Sequence, residues 1–99
     1  MTDASASSVI FHNQGGFDCN FSVQWDGGET DRTNILSIGQ TTTLDLKVYQ
    51  HIPNGQSCWA RCYVFGGPNH DSGRNFNYSH DAGSVEYTIS GGTLNPSFD

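Results

Sequence analysis

Ninety-nine residues suffice for one domain that buries about 65% of the surface its unfolded chain exposes, which leaves room for a small core and not for a large enzyme cleft. Ten acidic side chains against Arg32, Lys47, Arg61 and Arg74 give a formal charge of −6, which repels phosphate backbones and anionic lipid and argues against nucleic acid as a partner. Charged residues make up only 14% of the chain, while Gly, Ser, Thr and Asn abound, a mixture suited to β-sheet with polar, hydrogen-bonding loops.

Residues 1–8 carry neither a positive region nor an apolar run, so they read as a flexible N-terminal segment rather than a secretory leader. A single recognition domain is expected over residues 9–99, in a cytoplasmic setting, with no stretch long enough to span a membrane as a helix. Period-two or apolar character then marks residues 9–12, 19–25, 33–37, 41–49, 58–65, 74–78 and 85–90, separated by breaks rich in Gly, Asn and Pro. No segment shows helical spacing and no internal repeat is present, so the predicted fold class is all-β, a small antiparallel β-sandwich of two sheets. Cys19, Phe21, Val23 and Trp25 share one face of the second segment, and Leu44, Leu46 and Val48 share one face of the fourth; these are the predicted core rows.

Cys58 and Cys62 on one extended strand would stand about 13 Å apart, beyond disulfide reach, and Cys19 could meet one of them only across strands. An odd count predicts reduced, buried thiols, and the spacing lacks a zinc pattern; no metal or cofactor is expected. The acids Asp26, Glu29 and Asp31 match no calcium loop and read as a solvated turn.

Three segments concentrate binding chemistry. On residues 58–65 the alternation that buries Cys58, Ala60, Cys62 and Val64 turns Trp59, Arg61 and Tyr63 to the other face, an indole, a guanidinium and a phenol in line. Aromatic faces suit the apolar patches of sugar rings, and arginine donates in-plane hydrogen bonds to hydroxyls. Residues 49–57 read as a polar hairpin loop in which Tyr49, His51, Asn54 and Gln56 offer donors and acceptors. Residues 66–83, the longest unpatterned stretch, gather Asn69, His70, Asp71, Arg74, Asn75 and Tyr78, planar polar and aromatic groups able to bind vicinal hydroxyls. His70, Asp71 and Ser72 are adjacent in one segment, which does not make a nucleophilic triad, and no catalytic residue is expected.

The chain closes on a strand pattern, Ser84-Val85-Glu86-Tyr87-Thr88-Ile89-Ser90, that runs into Gly91-Gly92-Thr93-Leu94-Asn95-Pro96. This ending resembles the Gly-Thr-Thr-Leu-x-Pro segment that closes the membrane-binding fourth domain of the cholesterol-dependent (thiol-activated) cytolysins. Further upstream, His12-Asn13-Gln14-Gly15-Gly16-Phe17, then Asn20-Phe21-Ser22-Val23-Gln24-Trp25-Asp26, Leu44-Asp45-Leu46-Lys47-Val48 and Ser57-Cys58-Trp59-Ala60-Arg61-Cys62-Tyr63 are similar, in order, to further strands of that domain. The resemblance covers about residues 9–97. It implies a free-standing recognition domain with Thr93 and Leu94 at a surface tip, and it aligns residues 49–61 with the family's Trp-rich loop, of whose tryptophans Trp59 alone remains.

That family engages glycans as well as sterol, so the resemblance implies a lectin of the small fungal, defence type. Such a lectin would recognise glycoprotein or glycolipid glycans, galactosyl groups among them, on cell surfaces after release, and would gain avidity as a homodimer. The alternative it implies is a sterol or lipid membrane-recognition module carried by Thr93 and Leu94.

Overall fold

The computed structural model describes residues 4–49 and 52–99. Nine strands, β1 (Ala4–Ala6), β2 (Ser8–Asn13), β3 (Cys19–Trp25), β4 (Gly28–Glu29), β5 (Thr41–Asp45), β6 (Ser57–Val64), β7 (Asn69–Tyr78), β8 (Ser84–Gly92) and β9 (Asn95–Phe98), form two stacked sheets. One sheet has the order β1-β7-β6-β3-β4 and the other β5-β2-β8-β9. The all-β sandwich is the predicted one, but it is mixed: β1 runs parallel to β7 and β2 parallel to β8. Of the N-terminal segment expected to be flexible, residues 1–3 lie outside the described ones, and Ala4–Ala6 form β1.

Between the sheets lies one apolar cluster. Phe11 of β2 stacks on Phe21 of β3 with ring centroids 4.5 Å apart, and Tyr87 of β8 meets Phe76 of β7 at 6.3 Å. The predicted row Cys19, Phe21, Val23 and Trp25 is buried as a unit. All three thiols are free and buried; loss of hydration pushes the Cys58 thiol up to about 11, so it stays protonated at neutral pH.

Three predicted elements differ. Residues 33–37 form no strand beyond a single bridge from Leu36 to Cys19. Residues 30–36 instead follow β3 irregularly, three residues for every two of the strand, and the Thr30 and Thr33 hydroxyls accept from the Val23 and Phe21 amides at 3.0 and 3.1 Å in place of carbonyls. The strand expected over residues 41–49 stops at Asp45, whose carboxylate accepts from the Lys47 amide at 3.0 Å and caps a 3₁₀ turn, Leu46–Val48. Leu46 therefore enters the core while Val48 points outward. Within residues 66–83, the segment expected over 74–78 is the second half of a longer, ten-residue strand, β7, which takes in residues expected to be unpatterned and has a bulge where Trp59 and Arg61 oppose Asn75 and Asp71. In the bulge the Ser72 hydroxyl accepts from the Ala60 amide at 3.0 Å, replacing the lost ladder bond.

Candidate functional site

Two surfaces carry the candidate residues. On the outer face of the five-stranded sheet, strand register lines up three rows across β3, β6 and β7: Gln24, Trp59 and Asn75; Ser22, Arg61 and Asp71; Asn20, Tyr63 and Asn69. Trp59, Arg61 and Tyr63 do share this face, as the alternation of β6 requires. Their polar groups are, however, largely engaged with one another. Arg61 donates to both carboxylate oxygens of Asp71, at 2.6 and 3.1 Å, which holds the Asp71 carboxyl below its ordinary range. The Tyr63 hydroxyl donates to Glu29, the Ser22 hydroxyl donates to the same oxygen at 2.7 Å, and the Arg32 guanidinium lies 3.7 Å from the Tyr63 ring centre. Desolvation raises the Glu29 pKa, but the donors Tyr63, Ser22 and Gln24 outweigh it and leave the carboxyl below its usual value. Asn20 Oδ1 is buried with no donor among the described residues, a group that sequence reasoning did not single out as a site.

The other predicted residues scatter. Tyr78 is in the core, its hydroxyl 3.1 Å from His80 Nδ1. Arg74 lies over the Tyr87 ring at 4.4 Å and donates to the Glu86 carbonyl, at the seam between the sheets and away from Trp59. His70 stacks on Phe98 at 5.8 Å, while Asp71 faces the opposite side of the strand. Tyr49 accepts from the Asp31 amide at 3.2 Å and Asn54 from the His80 amide at 3.0 Å. His51 lies outside the described residues. β5 and β6, the strands on either side of the expected hairpin loop over residues 49–57, belong to different sheets and do not pair. Among the described residues no three of His, Cys, Asp and Glu converge to hold a metal, and no pocket opens.

The second surface is one end of the sandwich, where residues 14–18, 37–40, 65–68 and 93–94 meet. Asn13, fully buried at the end of β2, fastens two of these connections. Its amide group donates to the carbonyls of Phe17 and Leu36 at 2.8 and 3.0 Å, and its Oδ1 accepts from the Gly15 amide at 2.9 Å. The Gly16 amide donates to the Gly91 carbonyl at 3.0 Å and the Phe65 amide to that of Asp18 at 3.0 Å, tying in the other two. Gly91 turns with φ +94°, and a Cβ there would strike the Asn95 carbonyl, so glycine shapes the β8–β9 hairpin that presents Thr93 and Leu94. Gly67 lies so near the Thr93 carbonyl oxygen that any side chain would collide with it.

Leu94 is 74% exposed, Ile38 62% and Phe65 44%, each on a different loop, and Ile35, in the segment that follows β3, is 54% exposed. Val48, the remaining large apolar side chain exposed among the described residues, sits at the opposite end, beyond β5. Asp18 is the one ionisable residue among these four loops. Leu94 was legible from the terminal motif, whereas Ile35, Ile38 and Phe65 were missed. The available signal was an apolar residue set against turn glycines, Ile38-Gly39 and Phe65-Gly66-Gly67, where no strand can bury it.

No protein-family model and no curated protein sequence matches the chain. Among solved structures, a Gram-negative toxin aligns with 97% of this chain at 16% identity and a TM-score of 0.51. A non-haemolytic pneumolysin from Streptococcus pneumoniae aligns with 94% at 14% identity and 0.49, and the membrane-binding domain of pneumolysin with 94% at 13% and 0.48. The chain spans 23% and 22% of the two toxins' length and 93% of the isolated domain. The likeness to the Gram-negative toxin is one of fold alone.

Proposed function

We propose that this chain is a non-catalytic recognition module that docks end-on to a membrane surface through residues 14–18, 37–40, 65–68 and 93–94. The observation that carries this reading is the gathering of Ile38, Phe65 and Leu94 from three loops onto one end that bears a single ionisable side chain. Large apolar side chains left exposed on loops that are hydrogen-bonded to one another at one end suit a contact surface. The anchors are short and set in glycine turns, which suits shallow immersion at the headgroup boundary rather than passage through the bilayer. No helix among the described residues is long and apolar enough to cross a membrane. The test is co-sedimentation with phosphatidylcholine vesicles, with and without sterol. Wild-type protein is expected to sediment, and a triple variant Ile38→Ser, Phe65→Ser, Leu94→Ser to remain in solution with unchanged circular dichroism. Equal sedimentation of both proteins, or of neither, would overturn the reading, and dependence on sterol would narrow the ligand.

A second reading is favoured by Trp59, whose indole is partly exposed between Asn75 and Gln24 on an open face. It makes that face a weak glycan site, strengthened by a homodimer. A glycan array with wild-type and Trp59→Ala protein tests it; absence of binding above background removes this reading and leaves the first untouched.

A further inference from the structure

Resting on the docking reading, we propose that the end surface takes electrically neutral, zwitterionic lipid and that Asp18 is the residue that turns anionic lipid away. Asp18 is exposed in the β2–β3 connection, its backbone carbonyl held by the Phe65 amide at 3.0 Å, so its position relative to an apolar anchor is fixed. None of the ion pairs among the described residues involves it. The loops around it hold no lysine or arginine.

All four cations of the chain are committed elsewhere. Arg32 lies over Tyr63, Arg61 is paired with Asp71, Arg74 bonds the Glu86 carbonyl and Asp99, and Lys47 sits on the 3₁₀ turn at the opposite end. Membrane-binding surfaces that use anionic lipid present clustered lysine and arginine, each favourable near the surface. Here the sign is reversed. A carboxylate carried to the interface meets the negative potential of an anionic leaflet and is opposed about threefold per elementary charge. Charges more than about 8 Å away are screened at physiological salt, so the acids of the far end, Asp45 and Asp81, add little on a molecule 35 Å long. The apolar anchors set whether the protein binds; Asp18 sets on which surface.

The experiment compares co-sedimentation with vesicles of phosphatidylcholine alone and of phosphatidylcholine mixed with phosphatidylserine, for wild type, Asp18→Asn and Asp81→Asn. Wild type is expected to bind the mixed vesicles at least about threefold more weakly, with the difference shrinking as salt rises. Asp18→Asn should raise the ratio of mixed to neutral binding about threefold, and Asp81→Asn should leave the ratio at its wild-type value. Equal wild-type binding to both vesicles, or an unchanged ratio in Asp18→Asn, would overturn the selectivity while leaving docking intact. Failure of wild type to bind phosphatidylcholine at all would instead overturn the docking reading beneath it.

Discussion

Truncating Leu94 to alanine while leaving the rest of the tip in place separates docking from folding. Leu94 is 74% exposed and belongs to no part of the core, so its removal is expected to leave the thermal midpoint where it is. In a membrane interface the same side chain would lose its water. Removing three carbon groups at about 0.8 kcal/mol each, scaled to the exposed share, predicts a loss of about 1.8 kcal/mol, or roughly 20-fold in partitioning. The matched control is Val48→Ala, a side chain 69% exposed at the opposite end. Titrating phosphatidylcholine vesicles against each protein and fitting a partition coefficient reads both effects. A Leu94→Ala coefficient equal to that of wild type, or an equal loss from Val48→Ala, would refute the assignment of binding to this end.

Gly67→Ala places a methyl group against the Thr93 carbonyl oxygen and 3.0 Å from Val64 Cγ1, and is expected to cost about 1–3 kcal/mol by urea titration; a neutral effect would mean the two hairpins part freely. Phe21→Ala removes the ring stacked 4.5 Å from Phe11 and is expected to cost about 3–5 kcal/mol, a large part of the about 5–15 that a domain has, read as a fall in the thermal midpoint. Glu29 has a depressed folded pKa, so its contribution to stability is fully present above the ordinary value of 4.5 and is lost as pH falls through the lower folded value. Glu29→Gln should therefore flatten the acid limb of urea midpoint against pH, and an unchanged limb would show that the Tyr63 and Ser22 bonds confer nothing on folding.

Legibility in the sequence followed the physics of alternation. β3 and β6 each turn one apolar face to the core, and the division of β6 into Cys58, Ala60, Cys62 and Val64 inward against Trp59, Arg61 and Tyr63 outward could be read directly. Of β7 only the second half, the segment over residues 74–78, was legible, because only Phe76 and Tyr78 of its inward side chains reach the core. His70 lies against Phe98 and Ser72 is occupied in the bulge, so polar residues stand where the pattern needs apolar ones. The segment over residues 33–37 reads as a strand for the opposite reason: it follows β3, but threonine hydroxyls rather than carbonyls complete the ladder. The tip was legible only at Leu94. Ile38, Phe65 and Leu94 are separated by stretches of chain whose lengths bear no relation to their convergence, which is produced by sheet topology and by the side chain of Asn13.

The same topology fixes which loop stands beside the terminal motif. β5 ends and β6 begins at the end of the sandwich that holds Val48, whereas Thr93 is pressed against Gly67, so the loop that shares a surface with Thr93 and Leu94 is the β6–β7 turn. This bears on which surface has free energy to give. On the outer sheet face, a ligand hydroxyl competing for Arg61 or Glu29 must displace a bidentate ion pair or the hydrogen bonds from Tyr63 and Ser22, and exchanging one hydrogen bond for another returns only about 0.5–1.5 kcal/mol. At the tip nothing is displaced except water over Ile38, Phe65 and Leu94, and each side chain removed from it contributes in proportion to its exposed area. Affinity at the polar face therefore depends on avidity from several copies, while the apolar end can bind as a single copy, and a monomeric preparation titrated with vesicles and with glycans distinguishes the two.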